Sequence, residues 1–406
     1  MIAFHFPPFR GSSGIQRTLK FCQYLPRHGW TPIVLSASPV AFPRVGDDLL
    51  ADIPADLEVA RPFALDTARH LAVRGRFPSA FAIPDRWVTW WLGAVPAGLR
   101  LIRRHRPDVL WSTYPIATAQ LIGLTLHRLT GVPWIADFRD AMTEPDYPPG
   151  RATREVCRQI ESAAVRRCAK AVFTAPGTLR MYAQRYPDVP DSRWRIIENG
   201  YDEESFSLAA HRAGEHRGDG KTFLVHSGVL YPAERDPLPF FDALAYLRDA
   251  GTASAASLKI VLRASGNERE YRGHLEQKGI ADMVELAPPS NYAETLVEMM
   301  AADGLLLFQG SICNHQIPAK AYEYFRAGRP IFALTDPSGD TAALLRGMGI
   351  ESIVRLDSRE EIARGLTAFL DAIRNGTARA AGGEAARRHS RTSRTEELAR
   401  LLGEVV

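Results

Sequence analysis

The stretch Ser311–Leu334, SICNHQIPAKAYEYFRAGRPIFAL, reads as loop, helix, turn and buried strand. Ala319 to Ala327 is rich in good helix formers, and Pro318 suits a first turn, where a missing N–H does no harm. Gly328 predicts a C-cap, and Arg329-Pro330 leads into the apolar run Ile331 to Leu334. A further apolar run, Gly304 to Phe308, precedes the stretch. Strand, helix and strand in succession are the repeating unit of an open parallel α/β sheet. The start of such a helix is a natural diphosphate seat, because unpaired N–H groups and the dipole face the ligand. Pro318 and Ala319 mark that start, and Lys320 adds a cation. Glu323 lies about one turn further on, near enough to accept hydrogen bonds from ribose hydroxyls. The plainer reading is an ordinary helix–turn–strand unit with an exposed glutamate.

Working outward, the 406 residues suffice for two domains, each with its own core. Hydrophobic residues make up 46% and charged ones 24%, as in a soluble protein. A net charge of +4 gives no signal for nucleic acid. Cys22, Cys157, Cys168 and Cys313 show no metal or redox spacing, which fits a reduced, cytoplasmic setting. No run of about 18 apolar residues is present, so no membrane span is expected. The opening residues lack the charged region and cleavage site of a signal peptide.

From the amino terminus, Ile2 to Phe6 predicts a strand, PPFRGSSG a loop, Ile15 to His28 a helix and Ile33 to Ser36 a second strand. This opening suits a doubly wound sheet. Gly11 and Gly14 let the backbone approach a ligand closely, although the dinucleotide fingerprint is absent. Residues 38 to 84 read as a Pro-rich excursion with little regular structure. Trp87 to His105 is a helix with indoles at one end and Arg100, Arg103, Arg104 and Arg106 crowding the other. Two readings stand: indoles in the core with arginines at a favourable helix end, or an aromatic and basic face on the cytoplasmic side of an anionic bilayer. Pro96 predicts a kink or break. A strand over Val132 to Ala136 ends in Asp137-Phe138-Arg139-Asp140, and such polar strand ends are where α/β sheets place their chemistry.

Glu198 to Asp202 contains an Asn-Gly turn, and residues 203–221 read as a linker with a mobile part near Ala213 to Lys221. A second αβ series begins at Thr222. Its strand Phe223 to His226 runs into a Ser227-Gly228 loop, and Arg235 follows as a candidate phosphate-binding cation or a partner of Glu234 or Asp236. Arg263 lies at another strand end, placed to touch a base or phosphate. Thr377 to Gly383 is a small-residue hinge, and Glu384 to Val406 a final helix. The expected domains are 1–202, 222–383 after the linker 203–221, and the helix 384–406.

The pattern P-x-K-x-Y-E-Y-x-x-A-G-x-P at 318–330 resembles the donor-binding segment of family 4 glycosyltransferases of the GT-B fold. The resemblance extends over residues 2–30, 133–142 (ADFRDAM), 196–202 and 224–237 (HSGVLYPAERDP). It implies two Rossmann-like doubly wound domains facing a central cleft, with the last helix returning to the first domain. It implies that Glu323 binds the ribose and that the position of His315, a glutamate in most relatives, contacts the donor sugar. Relatives carry a cation where this chain has Val229, which leaves Arg235 for the diphosphate. Asp140 would contact the transferred sugar or the acceptor. The implied activity moves a sugar from a nucleotide-sugar donor to a glycan or polyprenyl-linked acceptor, with retention. No Asp-x-Asp motif stands at a strand end, so neither a metal nor a further cofactor is expected. A sugar-nucleotide epimerase of the same fold and a non-catalytic nucleotide-sugar-binding relative are the rival readings.

Overall fold

The computed structural model describes residues 1–11, 14–72, 76–77, 79–212 and 220–406. The chain divides into two compact units, Met1–Asn199 with Arg391–Val406, and Gly200–Ser390.

The first unit is built on strands β1 (Ile33–Leu35), β2 (Glu58–Ala60), β3 (Leu110–Thr113), β4 (Trp134–Phe138), β5 (Lys170–Phe173) and β6 (Trp194–Ile196), paired in parallel. Ile2 bridges Leu35 of β1 and Ser112 of β3, so the order reads β2-β1-Ile2-β3-β4-β5-β6. The direction of winding reverses between Ile2 and β3. The strand expected over Ile2 to Phe6 is reduced to this bridge. The Phe6 N–H turns back to the Phe4 carbonyl at 3.0 Å, and the Phe4 ring packs edge-on against Phe9, Phe42 and Trp90. Every residue of β4 is buried, as expected of a strand covered on both faces. Strand β2 and the short helix Thr67–His70 fall inside the segment expected to be irregular. Three half-buried residues form β2, too few to leave an alternating pattern in the sequence.

The helix Thr89–His105 runs unbroken past Pro96. Its neighbouring indoles turn inward. Trp90 is fully buried and donates to the Ser36 carbonyl at 3.1 Å, Trp87 donates to the Ala41 carbonyl at 3.0 Å, and Trp91 to Thr125 Oγ1 at 3.0 Å. Those bonds favour the core reading of this helix, and Arg103, Arg104 and Arg106 remain exposed. No described helix is long and apolar enough to cross a membrane.

The second unit carries β7 (Thr222–Ser227), β8 (Leu258–Arg263), β9 (Val284–Ala287), β10 (Gly304–Phe308), β11 (Ile331–Leu334) and β12 (Ile353–Val354). The strands are parallel in the order β12-β11-β10-β7-β8-β9. Winding reverses between β10 and β7. The stretch read as a linker contains a helix, Glu203–Ala210, that belongs to this unit. Asp202 caps it by accepting from the Ser205 amide at 3.0 Å, and Arg326 pairs with Glu203 at 2.6 Å, so the polar composition serves a cap and an ion pair. Residues 213–219, within the segment expected to be mobile, lie outside the described residues, as do Ser12 and Ser13 of the glycine loop.

The carboxyl-terminal segment is two helices. Gly383–Arg387 stays with the second unit, and Arg391–Gly403 belongs to the first. Between them Ser390 bridges to Tyr201, whose amide donates to the His389 carbonyl at 3.2 Å. Leu398, Leu401 and Leu402 of the last helix pack with Ala3, Phe21, Leu25, Trp111, Ile135 and Val172 in one buried cluster.

Candidate active site

In a doubly wound sheet, ligands bind outside the carboxyl ends of the strands where the winding reverses. The expected residues fall into two sets, one for each unit, and both lie around such a point.

In the second unit, β7 ends at Ser227 and Gly228 follows with φ +137°, a conformation suited to glycine. Its N–H donates to the Arg263 carbonyl at 2.9 Å, which zips the loops after β7 and β8 together. Ala264 and Asn267, in that second loop, also hold positive φ, at 54° and 45°. Such strain in non-glycine residues clusters at functional sites. From the neighbouring strand β10 the chain passes through His315 to the helix Ala319–Ala327. Pro318 is the N-cap residue rather than part of the first turn, and no side chain caps the helix. Its first amides are therefore left for solvent or a ligand. A Cβ placed on Gly228 would stand 3.8 Å from Lys320 Cε and 4.0 Å from His226 Nε2, so the loop, the helix start and these two side chains meet at one place.

Glu323 is 14% exposed and accepts from Tyr292 Oη at 3.0 Å and from Lys320 Nζ at 2.9 Å. A carboxylate has acceptor sites to spare beyond those two. Lys320 is thus held by Glu323 rather than standing alone as a phosphate cation. Arg235 donates to the Val229 carbonyl at 3.3 Å and lies over the Tyr231 ring at 5.6 Å. It pairs with no carboxylate among the described residues, so Glu234 and Asp236 are not its partners. Arg263 is different. Its fork grips both oxygens of Glu298, at 2.5 and 2.7 Å, and the Pro288 carbonyl at 2.7 Å. A phosphate would have to displace Glu298, so the expected ligand contact gives way to a brace between β8 and a neighbouring helix. His315 is half-buried in the loop, with its Nε2 3.4 Å from Gln316 Nε2.

Sequence reasoning missed His226. It is 3% exposed, and its Nδ1 lies 2.9 Å from the Leu306 carbonyl. Burial lowers its pKa to about 4, Arg235 and Lys320 add to the fall, and the backbone of Leu306 and of Gly228 opposes it. The ring is therefore neutral near pH 7. The only signal was a histidine in an apolar strand just ahead of Ser-Gly.

In the first unit, Gly11 has φ +98° and Gly14 opens the helix Gly14–Tyr24. A Cβ on Gly14 would stand 1.7 Å from Arg139 Nη1. Glycine is needed there to admit a guanidinium, not only a ligand. Arg139 Nε donates to the Tyr114 carbonyl at 2.5 Å, and its Nη2 lies 3.5 Å from His5 Nδ1. The His5 ring stacks on Phe9, 4.6 Å apart and 2° from parallel. Burial first, and then Arg139, push the His5 pKa down to about 3. Asp140 follows Arg139 and is exposed at the edge of this set. Asp137 is wholly buried and serves the scaffold. Arg17 holds both its oxygens, at 3.1 and 2.9 Å, and Thr113 Oγ1 donates to it at 2.8 Å. We expect Gly14→Ala to cost about 1–3 kcal/mol in thermal unfolding, the range for overfilling a packed site. Much of that cost should vanish in the background of Arg139→Ala, a coupling that a double-mutant cycle measures.

A family model for the glycosyl transferase 4-like domain matches residues 14–200. That stretch is therefore similar to the glycosyl transferase 4-like domain. Comparison of folds extends the likeness beyond this domain to the whole chain. A sucrose-phosphate synthase from Thermosynechococcus elongatus is 14% identical, with 99% of this chain and 98% of that one covered and a TM-score of 0.70. An α,α-trehalose-phosphate synthase (UDP-forming) from Burkholderia xenovorans is 13% identical over 99% of both chains, TM-score 0.68. A UDP-GlcNAc 2-epimerase from Neisseria meningitidis is 10% identical over 99% of both, TM-score 0.59. No curated protein matches in sequence. The fold is thus GT-B, with two Rossmann-like domains, and the matched stretch falls in the first of them.

Proposed function

We propose that this glycosyltransferase moves a sugar from a nucleotide-sugar donor to a glycan or lipid-linked acceptor, with retention of configuration and without a bound metal. One observation carries the reading. At the winding reversal of the second unit, an uncapped helix start, the Gly228 loop, an Arg235 without a carboxylate partner among the described residues, and Glu323 converge. Sugar transfer needs charge on the departing diphosphate to be stabilised, and preset N–H groups and a guanidinium do this. Arg235 and the amides near Ala319 take the diphosphate, Glu323 the ribose, and His315 a sugar hydroxyl. Asp140, at the edge of the first unit's set, takes the transferred sugar or the acceptor. Four buried free thiols suit a reduced, cytoplasmic setting. Contact with a membrane surface would rest on the exposed arginines after Ile102, since the indoles are spent in the core.

Calorimetric titration with UDP and GDP tests the donor site, and acceptor-dependent release of the nucleoside diphosphate tests the transfer. Release without any acceptor would favour an epimerase. No heat with any nucleotide would favour a non-catalytic relative with a degraded donor site, the reading to which Val229 and His315 lend support. Glu323→Ala should weaken nucleotide binding by about 1.5–3 kcal/mol, the scale of a hydrogen bond to a charged group. Unchanged affinity would take Glu323 out of the site.

A further inference from the structure

The buried His226 has one nitrogen satisfied and one bare. The Leu306 oxygen can only accept, so the proton of the neutral ring sits on Nδ1 and is spent there at 2.9 Å. Nε2 is then a lone pair. It is buried and has no partner among the described residues. A buried polar atom left in this state costs free energy, and natural structures seldom leave one without a reason. A Cβ on Gly228 would stand 4.0 Å from this nitrogen and 3.8 Å from Lys320 Cε, so the glycine leaves a niche of methyl size beside it. Lys320 is the second residue of the helix Ala319–Ala327, which ties this niche to the helix start through its side chain.

An Nε2 lone pair repels a phosphate oxygen, which is itself an acceptor. It is suited to an O–H. We infer that His226 is a positioning residue of the donor site, whose Nε2 accepts a hydrogen bond from a hydroxyl of the glycosyl group that the diphosphate carries. The inference rests on the proposed transferase reading. Within that reading Glu323, one turn into the helix, serves the ribose, and the niche at the helix start is left to what lies beyond the phosphates. The low basicity of His226 supports the assignment, because a ring charged near pH 7 would donate at Nε2 instead.

The experiment compares nucleoside diphosphates with nucleotide-sugars in the full chain. His226→Asn keeps a donor where Nδ1 stands and removes the far nitrogen. His226→Gln places an amide oxygen nearer the Nε2 position. With UDP or GDP as probe, His226→Asn should bind within about twofold of wild type. With UDP-glucose or GDP-mannose it should bind about tenfold more weakly, the equivalent of one ordinary hydrogen bond, and His226→Gln should recover part of the loss. In wild type labelled with 15N-histidine, the nucleotide-sugar should shift the Nε2 resonance, and the nucleoside diphosphate should not. That second readout stands even if the variants fold poorly. Equal losses for both kinds of probe, or an unmoved Nε2 resonance with a bound nucleotide-sugar, would overturn the inference alone. Wild type that binds none of the four probes overturns the transferase reading, and this inference with it.

Discussion

Replacing Asp137 by alanine is expected to lower the stability of the first unit by about 3–5 kcal/mol, the usual cost of breaking a buried ion pair from one side. Both partners are almost completely enclosed, Arg17 at 2% and Asp137 at 0% exposure. The arginine is not only a counter-ion. It also donates to the carbonyls of Ile197 and Glu198 at 2.9 Å each, so one guanidinium ties the first helix to the end of β4 and to the segment after β6. Without the carboxylate, a desolvated cation remains with two of its bonds lost. At roughly 2–4 °C per kcal/mol for a domain of this size, the midpoint of thermal unfolding should fall by roughly 6–20 °C. The double variant Arg17→Met/Asp137→Leu should lose much less, because a buried pair is costly chiefly when halved. A midpoint for Asp137→Ala within about 2 °C of wild type would show that water reaches the pair.

Arg235→Ala should lower turnover about a hundredfold, comparable with removing one preset donor from a site where charge develops. The side chain is half-exposed, and among the described residues it makes one hydrogen bond, to the Val229 carbonyl, and one ring contact, with Tyr231, so its loss should barely move the unfolding midpoint. Arg235→Lys should recover only part of the rate, since a point charge cannot grip two phosphate oxygens as a fork does. Steady-state release of the nucleoside diphosphate measures the effect. Turnover within about twofold of wild type would exclude the guanidinium from the stabilisation of the leaving group.

Much of this site could be read along the chain because its parts are local. The helix over Ala319 to Ala327, its Gly328 cap and the strand after it stand where composition placed them. So do Gly228 at the end of β7 and Arg263 at the end of β8. Partnership was not legible. Glu298 lies 35 residues from Arg263, and Tyr292 lies 31 from Glu323, with no spacing rule linking either pair. The same holds for Asp137 and Arg17, 120 residues apart. Ile2 to Phe6 misled because apolar residues there serve an aromatic cluster after a bend, not a continued ladder. Residues 203–210 misled because a polar helix, stabilised by its cap and by Arg326, has the composition of a spacer.

The final helix has a consequence for synthesis. Ala3, Phe21 and Trp111 are made before residues 200–390, yet their apolar partners Leu398 and Leu402 emerge after them. Residues 200–390 can bury their own side chains while the amino-terminal core is still open on one side. Chains fold vectorially as they leave the ribosome. The half that is translated first is therefore the half completed last, and a stop codon placed shortly after Ser390 would damage the beginning of the molecule rather than its end.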